Sequence, residues 1–272
     1  MDLKANKIIV ILTGAGISAE SGINTFRDSN GLWENHRMED VATPEAYQRD
    51  PQLVWKFYSM RRIQASKADP NPAHIALAAF AHEQGHRYKI HLISQNVDVL
   101  HQRADQFNVL DPITMHGSLH QSRCTSCGTV YFDDYAYFDL KGNYAPQDTG
   151  LCTTAQKAST EYLHHYKLNY RKFLPTSPCC KEPMRPHIVW FGEIPLYMEK
   201  IIPLLEKADI FVTIGTSGVV YPAAGFLELA KRKGAHTVCI NREAIPQSVM
   251  IDEFIQGRAG EKVPEFLMRL GS

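Results

Sequence analysis

Four groups of residues in this chain have the types and spacings that chemistry needs. The first is Gly14-Ala15-Gly16-Ile17-Ser18-Ala19, of the form G-x-G-x-x-A. One glycine suits a tight turn, one lets backbone approach a phosphate, and a small residue follows where helix meets strand. A helix beginning there would offer free N–H groups to a pyrophosphate. The second is Tyr58-Ser59-Met60-Arg61. Helical positions three apart share a face, so the phenol and guanidinium can converge on one target. A guanidinium holds a carboxylate through paired hydrogen bonds, and the phenol adds another donor. The blander account makes Arg61 and Arg62 a solvated basic patch and Tyr58 a core residue. The third is Cys124-Thr125-Ser126-Cys127, spaced so that two thiolates meet one tetrahedral ion. The fourth is His116, in Met115-His116-Gly117-Ser118. Imidazole titrates near operating pH, as a general base should, although one histidine among twelve is ordinarily structural.

The elements that must position these groups read as an α/β chain. Ile8-Ile9-Val10-Ile11-Leu12 suits a strand buried on both faces of a parallel sheet. An ordinary dinucleotide dehydrogenase would next carry a second strand ending in an acid. Instead a polar, glycine-punctuated segment runs from Gly22 through Phe26, Arg27 and Gly31 to Trp33, a functional loop or lid. Residues 44–67 and 73–83 read as helices, the second stopped by Gly85. Residues 91–94 read as a strand running into Gln95-Asn96-Val97-Asp98, either an Asx turn or polar groups at the ligand-binding edge of a sheet. Residues 209–214 form a further strand, Gly215-Thr216-Ser217-Gly218 a second glycine loop, 222–233 a helix, and 235–240 a strand ending in Asn241-Arg242-Glu243. Here an acid does follow the strand, where it could hold a ribose. Two glycine loops could thus face one cofactor.

Between Cys124 and Pro186 the composition shifts to aromatic and polar residues with five of the six cysteines, which reads as an inserted module. The chain has 272 residues, 44% hydrophobic and 21% charged, with a formal net charge of zero. That supports one large domain, or one plus a small module. It gives no electrostatic pull toward nucleic acid or anionic membrane. No apolar run approaches a membrane span, and no export signal is read at the N-terminus. The cysteines are therefore expected to be reduced, most of them metal-binding, and the protein cytoplasmic. Cys239, on a strand, reads as core.

GAGISAESGINTFRDSNGLW, QNVD, MHGS, the cysteine module, VWFGE, GTSG and NRE resemble, in order, the motifs of the sirtuins, the NAD-dependent protein lysine deacylases. The resemblance runs from Ile8 to about Leu270. It implies a Rossmann-like parallel-sheet domain, residues 1–123 and 186–272, with a small zinc-binding module, residues 124–185, inserted. NAD would be the co-substrate and zinc structural. The partners would be acylated lysine side chains of proteins, with no direct nucleic-acid or membrane binding, and the protein is expected to be a monomer.

What the resemblance implies for residues is specific. His116 is the general base, with Asn96 beside it in the catalytic pair. The acyl-lysine oxygen attacks C1′ of the nicotinamide ribose and releases nicotinamide. His116 then helps activate a ribose hydroxyl, and the products are free lysine and 2′-O-acyl-ADP-ribose. The NAD site takes Gly14, Ala15, Gly16, Ser18, Phe26, Arg27, Trp33, Gln95, Asn96, Asp98, Gly215, Thr216, Ser217, Asn241, Arg242, Glu243 and Ala259. The substrate peptide lies as a strand between two loops, represented by Val189, Phe191, Gly192 and Val219. Tyr58 and Arg61 resemble the Y-x-x-R of class III sirtuins, which remove succinyl, malonyl or glutaryl groups. The metal half at Ser177-Pro178-Cys179-Cys180 departs from the family, with serine where the first cysteine of a second C-x-x-C is expected. Cys124, Cys127 and Cys180 fit, and the fourth ligand is Cys179 or Cys152. Two other readings remain: mono-ADP-ribosyl transfer from the same NAD site, and a non-catalytic NAD-responsive binding protein.

Overall fold

The computed structural model describes residues 6–23, 32–33, 36–132, 137–138, 144–145 and 174–272. Its centre is a six-stranded sheet in the order Glu253–Gln256, His236–Asn241, Ile210–Ile214, Lys7–Thr13, Tyr88–Ser94, Ile113–Thr114. All five pairings are parallel. The order of connection reverses between Lys7–Thr13 and Ile210–Ile214, and a crevice for ligand opens at such a switch point.

Alternate residues of the central strands face opposite layers, as the two-residue strand period requires. Ile9, Ile11, Leu92, Val212 and Val238 pack on the helices Pro72–Gln84 and Ala259–Gly271 through Leu77, Phe80, Val263 and Phe266. Val10, Leu12, Ile93, Phe211 and Cys239 pack on Met198–Glu206 and Phe226–Arg232 through Ile201, Leu205, Phe226 and Leu227. Cys239 is a core residue, as expected.

A second layer of structure sits against this one. The helices Pro44–Arg49 and Pro51–Lys67 pack through Ala46, Val54, Phe57 and Tyr58 on Leu119, Ile188 and Trp190. Leu119 and Ile188 belong to Gly117–Cys124 and Met184–Ile188, which pair antiparallel and run across positions 123 and 186. Val130–Tyr131 completes that three-stranded sheet.

Three local expectations are corrected. The glycine turn leads into two short 3-10 segments, Ala15–Ile17 and Ala19–Ser21, rather than an α-helix among the described residues. Residues 44–67 are two helices, because Asp50 caps the second through Leu53 N–H and Pro51 opens it. The helix expected from 222 starts as a 3-10 turn, Ala223–Gly225, and becomes α-helical at Phe226–Arg232. Among the described residues, no helix is long and apolar enough to cross a membrane.

Candidate functional site

The site lies at the carboxyl ends of the central strands. Gly14 N–H donates to Ile214 C=O at 2.9 Å and Gly16 N–H to Gly215 C=O at 2.8 Å, so the two glycine loops touch. A Cβ on Gly14 would stand 2.8 Å from Gly215 O, and one on Gly215 (φ +60°) 2.5 Å from Ile17 N. The absence of side chains is what lets the loops meet, and this is the physical reason for glycine at positions 14 and 215.

The polar residues after the neighbouring strand are knitted to both loops. Gln95 N–H donates to Thr13 C=O at 2.9 Å, and its Oε1 accepts from Thr216 Oγ1 at 2.9 Å. Thr216 C=O in turn accepts from Asn241 Nδ2 at 2.8 Å. Asn96 donates through Nδ2 to Ser18 Oγ at 3.0 Å, and Ser18 donates to Asp98 Oδ2 at 3.0 Å. Asp98 Oδ1 accepts Leu100 N–H at 3.1 Å. Burial pushes the Asp98 carboxyl up, against these hydrogen bonds and the charge of Arg61.

His116 follows the short edge strand Ile113–Thr114. Its Nδ1 lies 3.0 Å from the Gln95 carbonyl oxygen. A carbonyl only accepts, so Nδ1 carries the proton and Nε2 is the basic nitrogen. Burial holds the imidazole below its ordinary value, opposed by the bond to Gln95. Gly117 next to it has φ +81°, and a Cβ there would stand 2.0 Å from His187 O.

The segment 189–193 starts from this histidine. Val189 N–H donates to His116 C=O at 2.9 Å and Phe191 N–H to Ala42 C=O at 3.0 Å. Phe191 is 52% exposed, Val219 in the other loop 59%, and Gly192 has φ +87°. Ser217 Oγ accepts Val219 N–H at 3.4 Å, while Arg242 and Glu243 are exposed. Ala259 opens the last helix with its methyl in the core, and Gly260 N–H beside it donates to Glu20 at 2.7 Å. Phe26, Arg27 and Cys152 lie outside the described residues. Trp33 is described in its backbone, as the strand Leu32–Trp33 paired with His36–Arg37.

Tyr58 and Arg61 are 1% and 8% exposed, so they are not part of a solvated patch. The Arg61 guanidinium lies 6.0 Å from the Tyr58 ring centroid. Burial raises the Tyr58 phenol to about 12. Arg62, 1% exposed, donates to Leu119 C=O at 2.6 Å and Ser122 Oγ at 3.2 Å. Adjacent arginines thus divide the work: Arg62 bolts the helix to the second sheet, and Arg61 stands beside Tyr58 within the field of Asp98.

The sulfur atoms of Cys124, Cys127, Cys179 and Cys180 all lie within 4.8 Å of one another. A tetrahedral zinc with Zn–S bonds of about 2.3 Å sets its thiolates roughly 3.8 Å apart, so the four fit that ion. Two matching turns supply them. Gly128 N–H returns to Cys124 C=O at 3.1 Å and Lys181 N–H to Ser177 C=O at 3.0 Å, and Gly128 and Lys181 are both left-handed. Ser177 therefore sits where Cys124 sits in its own turn, and its Oγ accepts Cys180 N–H at 3.4 Å. Cys179 brings the missing sulfur, 3.2 Å from Cys127 Sγ.

A model of the Sir2 family matches residues 14–222. The chain belongs to the Sir2 family. It is 45% identical over 266 residues to an NAD-dependent protein deacylase of Escherichia coli K12, covering 96% of this chain and 81% of that one. It is 45% identical over 269 residues to an NAD-dependent protein deacylase of Vibrio vulnificus YJ016, covering 96% and 93%. Among solved structures, an ADP-ribose complex of a mutant Sir2 homologue superposes with TM-score 0.78 at 34% identity, covering all of this chain and 97% of that one. A Sir2 homolog–NAD complex gives 0.76 at 34% identity, covering 97% and 90%.

In this Sir2-family chain a layer beneath the site, His74 and His101, carries no motif in the sequence. Asn71 N–H donates to His74 Nδ1 at 3.4 Å, which leaves the His74 Nε2 proton facing Ser18 Oγ at 3.5 Å. Thr13 Oγ1 and His101 Nε2 are 3.0 Å apart, and the His74 and His101 ring centroids lie 4.8 Å apart with their planes tilted at 59°. The one sequence signal was a histidine on the core face of a helix, which reads as packing.

Proposed function

We propose that this Sir2-family enzyme, an NAD-dependent protein deacylase, removes acidic acyl groups, succinyl and malonyl, from protein lysines, with deacetylation alongside. The observation that carries the acyl preference is the burial of Tyr58 and Arg61 side by side. A guanidinium kept out of bulk solvent binds a carboxylate far more strongly than an exposed one. A phenol that stays protonated to about 12 remains a donor throughout the working range.

In this reading Gly14, Ala15, Gly16, Ser18, Gly215, Thr216, Ser217, Asn241, Arg242, Glu243 and Ala259 serve the NAD crevice, and Phe26, Arg27 and Trp33 are assigned to NAD binding by family resemblance. Gln95, Asn96 and Asp98 hold the nicotinamide side. Asn96 and Asp98 are fixed through one hydroxyl, Ser18, so loss of any member loosens the others. His116 takes a proton from a ribose hydroxyl at Nε2, the nitrogen left free by Gln95. Its lowered affinity for protons keeps it neutral and ready at neutral pH. Val189, Phe191, Gly192 and Val219 would flank an extended substrate peptide. Cys124, Cys127, Cys179 and Cys180 would hold a zinc ion that closes the module's two turns, a structural role with no open coordination position. The module as residues 124–185, a cytoplasmic location and a monomeric state belong to the same proposal.

The test is the product. Incubation with NAD and a succinyl-lysine peptide should release nicotinamide and one equivalent of succinyl-ADP-ribose. ADP-ribose found covalently on the peptide or on the enzyme, without free acyl-ADP-ribose, would favour ADP-ribosyl transfer instead.

A further inference from the structure

Tyr58 and Trp190 together carry an inference that rests on the acidic-acyl reading above. Trp190 Nε1–H lies 3.0 Å from Tyr58 Oη, the hydrogen bond this buried hydroxyl makes among the described residues. Indole N–H can only donate. Tyr58 is therefore the acceptor, and its own proton is not spent on Trp190. A phenol keeps its O–H close to the ring plane and so has two orientations. A donor arriving on one side occupies the lone pair there and turns the proton to the other.

Trp190 is itself firmly held. The Arg185 guanidinium lies 3.3 Å from the indole ring centroid, a close cation–π contact. Trp190 N–H donates to Glu193 Oε2 at 2.8 Å. That same carboxylate is gripped by Arg185 at 2.6 and 2.9 Å and by Arg123 at 3.1 Å. The Tyr47 ring stands 5.5 Å away. Turning the indole would give up the Arg185 cation–π contact and the Tyr47 packing, while the ion-pair network fixes the Trp190 backbone.

We propose that Trp190 is a positioning residue for acyl selection: its indole N–H sets the direction of the Tyr58 O–H, so that phenol proton and Arg61 guanidinium are presented together to the terminal carboxylate of the acyl chain. Because Trp190 lies within 189–193, the segment offered to the substrate is hydrogen-bonded directly to the phenol that reads the acyl end. A phenylalanine at 190 would keep an aromatic ring but lose the donor.

The experiment compares kcat/KM for succinyl and acetyl forms of one peptide in wild type, Trp190→Phe, Tyr58→Phe, the double variant and Arg61→Met. Trp190→Phe should lower the succinyl-to-acetyl ratio roughly tenfold, the scale of one hydrogen bond to a charged group, through KM for the succinyl peptide. The Trp190→Phe change should add nothing in the Tyr58→Phe background, since both remove one interaction. If Trp190→Phe folds poorly, 3-benzothienylalanine at position 190 keeps the fused ring, replaces N–H by sulfur and should give the same loss. Equal loss toward both acyl groups, or additive effects in the double variant, would overturn the proposal while a ratio collapsed by Arg61→Met left the acidic-acyl reading standing. A wild type without succinyl preference would remove that reading and this inference with it.

Discussion

His116 Nδ1 sits 3.0 Å from the Gln95 carbonyl oxygen, which leaves Nε2 as the nitrogen able to accept a proton. His116→Ala should lower deacylation by a factor of about 10² to 10⁴, the usual worth of general base catalysis, while NAD still binds. Burial lowers the histidine's affinity for protons, so the acidic limb of the kcat profile should have its midpoint below 6.5. Rate against pH under saturating substrates checks this, and a midpoint above 6.5 would contradict it.

The contact between the glycine loops predicts an unequal pair of alanine substitutions. At Gly215 a Cβ meets Ile17 N at 2.5 Å with φ +60°, so Gly215→Ala should cost about 4 kcal/mol or more. Gly22 also has a left-handed φ, +86°, but among the described residues nothing lies within 4 Å of its Cβ position. Gly22→Ala should cost about 1 kcal/mol, the strain alone. Chemical denaturation of both variants gives the comparison.

Buried neutral histidines predict acid sensitivity. Burial lowers His74 to about 4 from an ordinary 6.5, so the unfolded chain binds the proton more readily. Stability is then full above 6.5, falls as pH drops toward 4, and levels off below it. His74 alone would contribute about 3 kcal/mol to that fall, and His187, also lowered to about 4 by burial, acts in the same direction. Denaturant midpoints measured from pH 7 to pH 4 should decline, and less steeply in a folded His74→Gln variant.

The cysteine geometry separates two candidates for the fourth zinc ligand. Cys179→Ala should reduce bound zinc well below one per chain and lower the melting temperature, whereas Cys152→Ala should leave both unchanged. Metal content by mass spectrometry decides it, and the opposite pattern would assign Cys152.

Much of this was legible in the sequence for identifiable reasons. The run Ile8 to Leu12 announces a strand buried on both faces, and the 3-10 turns after Gly14 escape because helix and tight turn share the same glycine signal. Tyr58 and Arg61 were legible by helical spacing, but nothing local distinguished Arg61 from Arg62. Which arginine faces Leu119 depends on a strand more than fifty residues away. Trp190 likewise looked like one aromatic in VWFGE, and its bond to Tyr58 spans 132 positions in the chain. Ser177 read as a defect in a metal motif; the fold shows a turn that kept its shape while Cys179 moved the sulfur.

The acidic-acyl preference is tested most directly by NAD-dependent removal of succinyl and acetyl from the same lysine peptide, with wild type beside Arg61→Met. Wild type should prefer the succinyl peptide, and in the variant that preference should collapse while deacetylation persists. Equal rates on both peptides in wild type, or a preference untouched by Arg61→Met, would contradict it.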